Sequence, residues 1–206
     1  WFELWNEPYY HAGADGERDL RENAARYAAL AAAAIPAARE ASGAARMLVA
    51  LQTSSLTRPG DHLAWLEALE RADADVLRAA DGFAVHPYDI VEPAGFRPLD
   101  ELLAELSERG LDGQVWITEV GWSTCAGDDE CVSERRQAAS LATLLAAMRT
   151  RYAGRIEAVF LYHLYDWHVE PPGGREGGYG LLRVDGSRKP AWWSYRWGVT
   201  ALAGRA

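Results

Sequence analysis

The chain has 206 residues, 49% of them hydrophobic and 25% charged, and a net charge of -9. That balance suits a globular domain. The acidity argues against nucleic acid as a partner, because phosphates call for a basic surface. No stretch of about 18 apolar residues occurs, so no helical membrane span is expected.

The first apolar run is Trp1–Trp5. The chain opens inside it, with no initiator Met and no signal peptide. It is therefore expected to be the C-terminal part of a longer protein, secreted or extracellular, with any export signal on the other part. Asn6-Glu7-Pro8 follows. Pro8 cannot donate to a ladder, so the strand should end there with the Glu7 carboxylate outward from the sheet.

A helix is predicted over about Arg18–Ser42, with Gly43 as its stop and a kink or break at Pro36. Strand Arg46–Leu51 runs into Gln52-Thr53. A helix over about Asp61–Ala80, in one piece or two, leads to strand Gly82–His86, followed by Pro87-Tyr88. Leu99, Leu102, Leu103 and Leu106 form one apolar stripe on a helix Leu99–Arg109, ended by Gly110. Strand Gln114–Glu119 carries the second notable carboxylate, in Thr118-Glu119-Val120-Gly121-Trp122.

Cys125 and Cys131, the only cysteines, lie in the next loop. Two cysteines are too few for a structural zinc site. They are a local disulfide, as suits an exported protein, or two free thiols. The residues between them, including Asp128, Asp129 and Glu130, read as solvated surface. Ser133 is a candidate N-cap for a helix Glu134–Tyr152 with an apolar face of Leu141, Leu144, Leu145 and Met148. Strand Ile156–His163, a loop with Tyr165-Asp166-Trp167, and a helix Pro190–Leu202 complete the chain. No repeat, linker or second domain is evident, so residues 1–206 form one partial catalytic domain.

The strands are continuously apolar, as strands covered on both faces should be. Alternating strands and helices imply a parallel sheet with right-handed crossovers. An open doubly wound sheet and an arc of an eightfold barrel both satisfy this. No Gly-rich phosphate loop follows any strand, which weakens the nucleotide-binding version. Polar and aromatic residues gather instead at the C-terminal end of every strand, where α/β barrels place function, a habit that open α/β sheets share.

Two carboxylates at strand ends are what glycosidic-bond cleavage requires: one donates a proton, and the other attacks or activates water. Glu7 and Glu119 are those candidates; a helix cap or a salt bridge is the structural alternative. A general acid must be protonated near neutral pH, which takes apolar surroundings or a nearby anion. Nine Trp fit a sugar cleft, since aromatic faces stack on sugar rings, although about half should serve core packing alone.

Trp5-Asn6-Glu7-Pro8 resembles the acid/base motif on strand four of clan A glycoside hydrolases. Thr118-Glu119-Val120-Gly121-Trp122 resembles their nucleophile motif on strand seven, and His86-Pro87-Tyr88 falls where the clan often carries His-x-Tyr on strand six. Gly178-Tyr179-Gly180-Leu181-Leu182 and Lys189-Pro190-Ala191 bring families 39 and 5 nearest. The resemblance implies a TIM barrel truncated to strands four to eight with their helices. It also implies a retaining mechanism and a carbohydrate substrate. No His or Cys spacing supports a metal site, and this chemistry needs no metal or cofactor.

On that resemblance Glu7 is the acid/base and Glu119 the nucleophile. Tyr88 would steady the Glu119 anion, or be a core Tyr with a satisfied hydroxyl. Asn6 would bind the sugar 2-hydroxyl, or close an Asx turn. His86 would bind a sugar hydroxyl, orient a carboxylate, or be a satisfied buried imidazole; His11 and His163 carry less weight. Trp122 is a stacking platform or core. Many relatives carry a Trp near the end of strand eight, where this chain has Leu161-Tyr162-His163; Trp167 in the following loop is the candidate replacement. A carbohydrate-binding pseudoenzyme or an inactive fragment is the competing class.

Overall fold

A computed structural model describes residues 1–10, 20–53, 61–91, 95–125, 129–168 and 174–203. His11 and Asp128 lie outside them. Among the described residues there are five strands, β1 (Phe2–Leu4), β2 (Met47–Leu51), β3 (Gly82–Val85), β4 (Gln114–Val120) and β5 (Ile156–Leu161). The five long helices are α1 (Leu20–Ala41), α2 (Asp61–Ala79), α3 (Arg97–Glu108), α4 (Glu134–Thr150) and α5 (Pro190–Ala203). Two 3-10 turns that periodicity does not announce, Pro8–Tyr10 and Arg175–Gly178, sit beyond β1 and before α5.

The strands pair in the order β1-β2-β3-β4-β5, every neighbour parallel. A strand, a helix and the next strand beside the first is the repeated unit of a TIM barrel, here an arc of five such units. β1 and β5 form its edges. Phe2 on β1 and Phe160 on β5 are 62% and 52% exposed, as edge residues of an unclosed arc must be.

The core lies between the sheet and the helices. Val49, Leu51, Phe83, Val85, Val115 and Ile117 meet Ile35, Leu66, Leu69, Leu99, Leu102 and Leu144, all nearly inaccessible. The predicted stripe of α3 is buried throughout, and Gly110 follows the helix at φ +65°. Tyr27 of α1 fixes the short first strand: its hydroxyl donates to the Leu4 carbonyl and accepts from the Ala50 amide, both at 2.8 Å. One side chain thus ties β1 to β2 just before the rim residues begin.

Two helix expectations meet different outcomes. α1 runs unbroken through Pro36. Pro36 and Ala32, whose carbonyl loses its intrahelical partner to the ring, are both exposed, so water can replace the missing bond. α2 does break, at Asp73 (φ -165°, ψ 98°), where the Asp73 carboxylate accepts from the Asp75 amide at 3.0 Å. The predicted N-cap is in place: Ser133 Oγ accepts from the Arg136 amide at 3.2 Å.

Candidate active site

The two singled-out glutamates reach the same rim by different local distortions. On β4, strict alternation would put Glu119 on the side of Val115 and Ile117, under the helices. The β4–β5 register shifts between Ile117 and Val120: Ile117 faces Val159 and Val120 faces Leu161. One extra residue on β4 is a bulge, a device that re-aims side chains. Val120 takes the buried position at 0% exposure, while the Glu119 side chain stays 29% exposed. Past β1, Trp5 and Glu7 both have positive φ, +65° and +43°. Non-glycine residues rarely hold that conformation, and it costs about 1–3 kcal/mol where surroundings enforce it. It leaves the Glu7 side chain 26% exposed.

His86, one residue past β3, joins them. Its side chain is 2% exposed. Nδ1 lies 3.1 Å from Glu7 Oε1 and 3.7 Å from Glu119 Oε2. Since both oxygens approach one nitrogen, they lie within about 7 Å of each other, a range that includes the separation of about 5–5.5 Å between carboxyl groups of retaining glycosidases. On the opposite edge of the ring, Nε2 lies 3.2 Å from Glu3 Oε1. Burial alone would depress His86, but the Glu3 and Glu7 carboxylates, with Glu119 behind them, outweigh it and push the imidazole up to about 9. The ring is therefore an imidazolium at neutral pH. Buried among three carboxylates, it offers no edge to a sugar hydroxyl.

The Tyr88 hydroxyl donates to Glu119 Oε2 at 2.6 Å. Burial, then the charge it bonds, hold this phenol protonated well above its ordinary range. An aromatic wall continues from it. Tyr88 meets Tyr162 and Tyr179 edge-on at 6.1 and 5.6 Å, and Tyr162 meets Trp167 at 6.3 Å. Trp167 stacks on His163 with centroids 3.9 Å apart and 14° between planes. Trp167 is 46% exposed. Asn6 is exposed beside Glu7.

Trp122 does not present a platform. It is 8% exposed and part of the core cluster, because it follows the bulge back under α4, where Gln137 contacts its carbonyl at 3.0 Å.

Lys189 supports this wall from below. Its side chain is 1% exposed, and Nζ donates to Asp166 Oδ1 (2.7 Å), Thr124 Oγ1 (2.7 Å) and the Gly178 carbonyl (3.0 Å). It thereby joins the loops after β4 and β5 and the 3-10 turn. The segments are pressed together: a Cβ on Gly121 would sit 2.3 Å from the Tyr162 carbonyl oxygen, and one on Gly178 2.5 Å from Ser123 Oγ. Cys125 and Cys131 are disulfide-bonded, Cα atoms 5.5 Å apart. The turn between them is tied onward by Glu130, which pairs with Arg175, whose Nε donates to the Tyr179 hydroxyl.

Sequence reading missed Glu3, Tyr162, Tyr179 and Lys189 as parts of this assembly. Glu3 had a signal: it is the one charge inside the apolar run Trp1–Trp5, and such a residue needs a partner. Among the described residues no group of His, Cys, Asp and Glu is arranged to hold a metal ion.

No family model and no curated protein matches the chain. Solved structures do. A family 39 glycoside hydrolase from Bacteroides cellulosilyticus matches with TM-score 0.66 and 24% identity, over 92% of this chain and 38% of that one. A monomeric β-xylosidase from Caulobacter crescentus gives 0.59 and 19%, over 95% and 40%. A family 17 β-1,3-glucanosyltransferase from Rhizomucor miehei gives 0.54 and 18%, over 82% and 56%. This chain thus spans between about two fifths and just over half of those enzymes. At such identities the likeness is one of fold: the chain has the architecture of five consecutive strand-helix units of a TIM barrel.

Proposed function

We propose that the protein is a retaining glycoside hydrolase, with Glu119 as nucleophile and Glu7 as acid/base, acting on an O-linked carbohydrate. The observation that carries this reading is the meeting of two carboxylates, from β4 and from the loop after β1, at one buried imidazole on the C-terminal rim. Tyr88 and His86 both approach Oε2 of Glu119, so Oε1 attacks the anomeric carbon. As that bond forms, the glycosidic C–O bond breaks and Glu7 passes its proton to the departing oxygen. Water then enters, Glu7 takes its proton, and the new hydroxyl displaces Glu119. His86 already occupies Oε1 of Glu7, so the travelling proton is carried on Oε2. The hydrogen bond from Tyr88 holds Glu119 in line.

Asn6 would bond the 2-hydroxyl, a contact that strengthens in the transition state. Trp167, half exposed beside the candidate site, would stack on a sugar ring. A disulfide in the site's own loop favours an exported protein.

Substitution with azide rescue tests the two roles in the protein at its full natural length. Glu119→Ala should abolish turnover on every glycoside. Glu7→Ala should spare substrates with good leaving groups, since general acid help is worth about 10²–10⁴-fold. Azide should then give opposite anomers: retained with Glu7→Ala, by attack on the glycosyl-enzyme, and inverted with Glu119→Ala, by direct displacement. The same anomer from both, or full activity in both, contradicts the assignment.

A further inference from the structure

The function proposed above uses Glu7, Glu119, Tyr88 and His86. It leaves Glu3 idle, a carboxylate on β1 with its side chain 24% exposed. Glu3 faces the Nε2 edge of His86 at 3.2 Å, an ion pair without the alignment of a hydrogen bond. The ring is thereby held between two carboxylates on opposite edges, Glu3 at Nε2 and Glu7 at Nδ1. Rotation of the ring about its stem would break both contacts at once.

Glu7 needs such a brace. It lies beyond the strand, on backbone at φ +43°, so sheet register does not set where its carboxylate points. Nδ1 also sits 0.6 Å closer to Glu7 than to Glu119, at 3.1 against 3.7 Å. The ring thus bears more closely on the acid than on the nucleophile. Glu3 is on the same strand as the run into Glu7, and β1 is joined to β2 in register, Glu3 opposite Leu48. A carboxylate fixed in the sheet therefore anchors the ring from one side, and the ring anchors the acid on the other. Glu3 also balances the imidazolium charge, so that the acid does not face an uncompensated cation.

We propose that Glu3 is a positioning residue for the acid/base, acting through His86 to hold the Glu7 carboxylate where it can protonate the leaving oxygen. This rests on the reading of Glu7 as acid. Glu3 touches no reacting atom, so its loss should be felt only when proton donation limits the rate.

The test uses Glu3→Gln, which keeps shape and removes charge, on two glycosides of the same sugar. One carries a leaving group that needs no protonation, such as dinitrophenolate; the other carries an alkyl alcohol. Glu3→Gln should lose about 10–100-fold in kcat/KM on the alkyl glycoside, part of the general acid effect, and less than about threefold on the activated one. Glu3→Asp, which keeps charge but withdraws the carboxylate, should fall between Glu3→Gln and wild type. Equal losses on both substrates, or none on either, overturn the proposal. Glu7→Ala runs in parallel. If Glu7→Ala discriminates by leaving group and Glu3→Gln does not, Glu3 alone is misassigned. If neither discriminates, the reading of Glu7 as acid fails, and this proposal with it.

Discussion

Replacing Lys189 by Met is the sharpest structural perturbation of the rim. The ammonium is 1% exposed and donates to Asp166 Oδ1, Thr124 Oγ1 and the Gly178 carbonyl. Met fills similar space but donates nothing. Removing one member of a buried ion pair typically costs about 3–5 kcal/mol, because the partner charge is left uncompensated. Asp166 is 14% exposed and keeps the Gly180 amide at 2.8 Å, so the low end applies, about 3 kcal/mol. For a domain of this size each kcal/mol moves the melting point by about 2–4 °C, which gives a drop of roughly 6–12 °C. Calorimetry and urea titration of Lys189→Met would measure it. Asp166→Asn added to Lys189→Met should restore part of the loss, a positive coupling in the double-mutant cycle. A loss below about 1 kcal/mol, the level of an exposed pair, with no coupling, would refute the argument that Lys189 clamps the rim.

Two further outcomes are expected. His86 is raised from 6.5 to about 9 on folding, so its contribution is fully present below pH 6.5 and is lost as pH rises through about 9. The linkage amounts to on the order of 3 kcal/mol. Urea midpoints at pH 6 and pH 9.5 should show the decline in wild type, and a nearly flat response in His86→Gln over the same span would confirm its source; parallel slopes would contradict it. Reduction of Cys125–Cys131, which closes a separation of 6 residues, should cost about 2 kcal/mol by loop entropy, read as a lower melting point in reductant. An unchanged melting point would mean the bond constrains nothing.

Much of the architecture was legible because it rests on local pattern. The runs that became β2 to β4 are continuously apolar and bounded by turn residues, and the α3 stripe falls at helical spacing. Strand ends were less legible: β5 stops at Leu161 rather than His163, and β4 runs one residue past Glu119 to Val120. The bulge behind that shift, an unpaired residue between Ile117 and Val120, depends on pairing with β5 and has no signature in β4 alone. The candidate site was readable at Glu7, Glu119, His86 and Tyr88, which meet at one rim, since polar residues ending apolar strands stand out. Trp122 read equally well as platform or core, and only its burial decides. Lys189 and Tyr179 were invisible as site supports because their partners lie far away in the chain, 65 residues in the case of Thr124 and Lys189. Pro36 reads as a breaker until one knows that its turn faces water.

The most direct test of the central claim is to trap the glycosyl-enzyme. A 2-deoxy-2-fluoro glycoside with an activated leaving group slows both steps, and release of the sugar more than its attachment. Incubated with the protein at full natural length and digested, it should yield one peptide heavier by the fluorosugar, with fragmentation placing the label on Glu119. Product followed by proton NMR on a normal substrate should first appear with the anomeric configuration of the substrate. Label on Glu7 or another residue would contradict the assignment of the nucleophile. An inverted first product with no labelled peptide would contradict the double displacement itself.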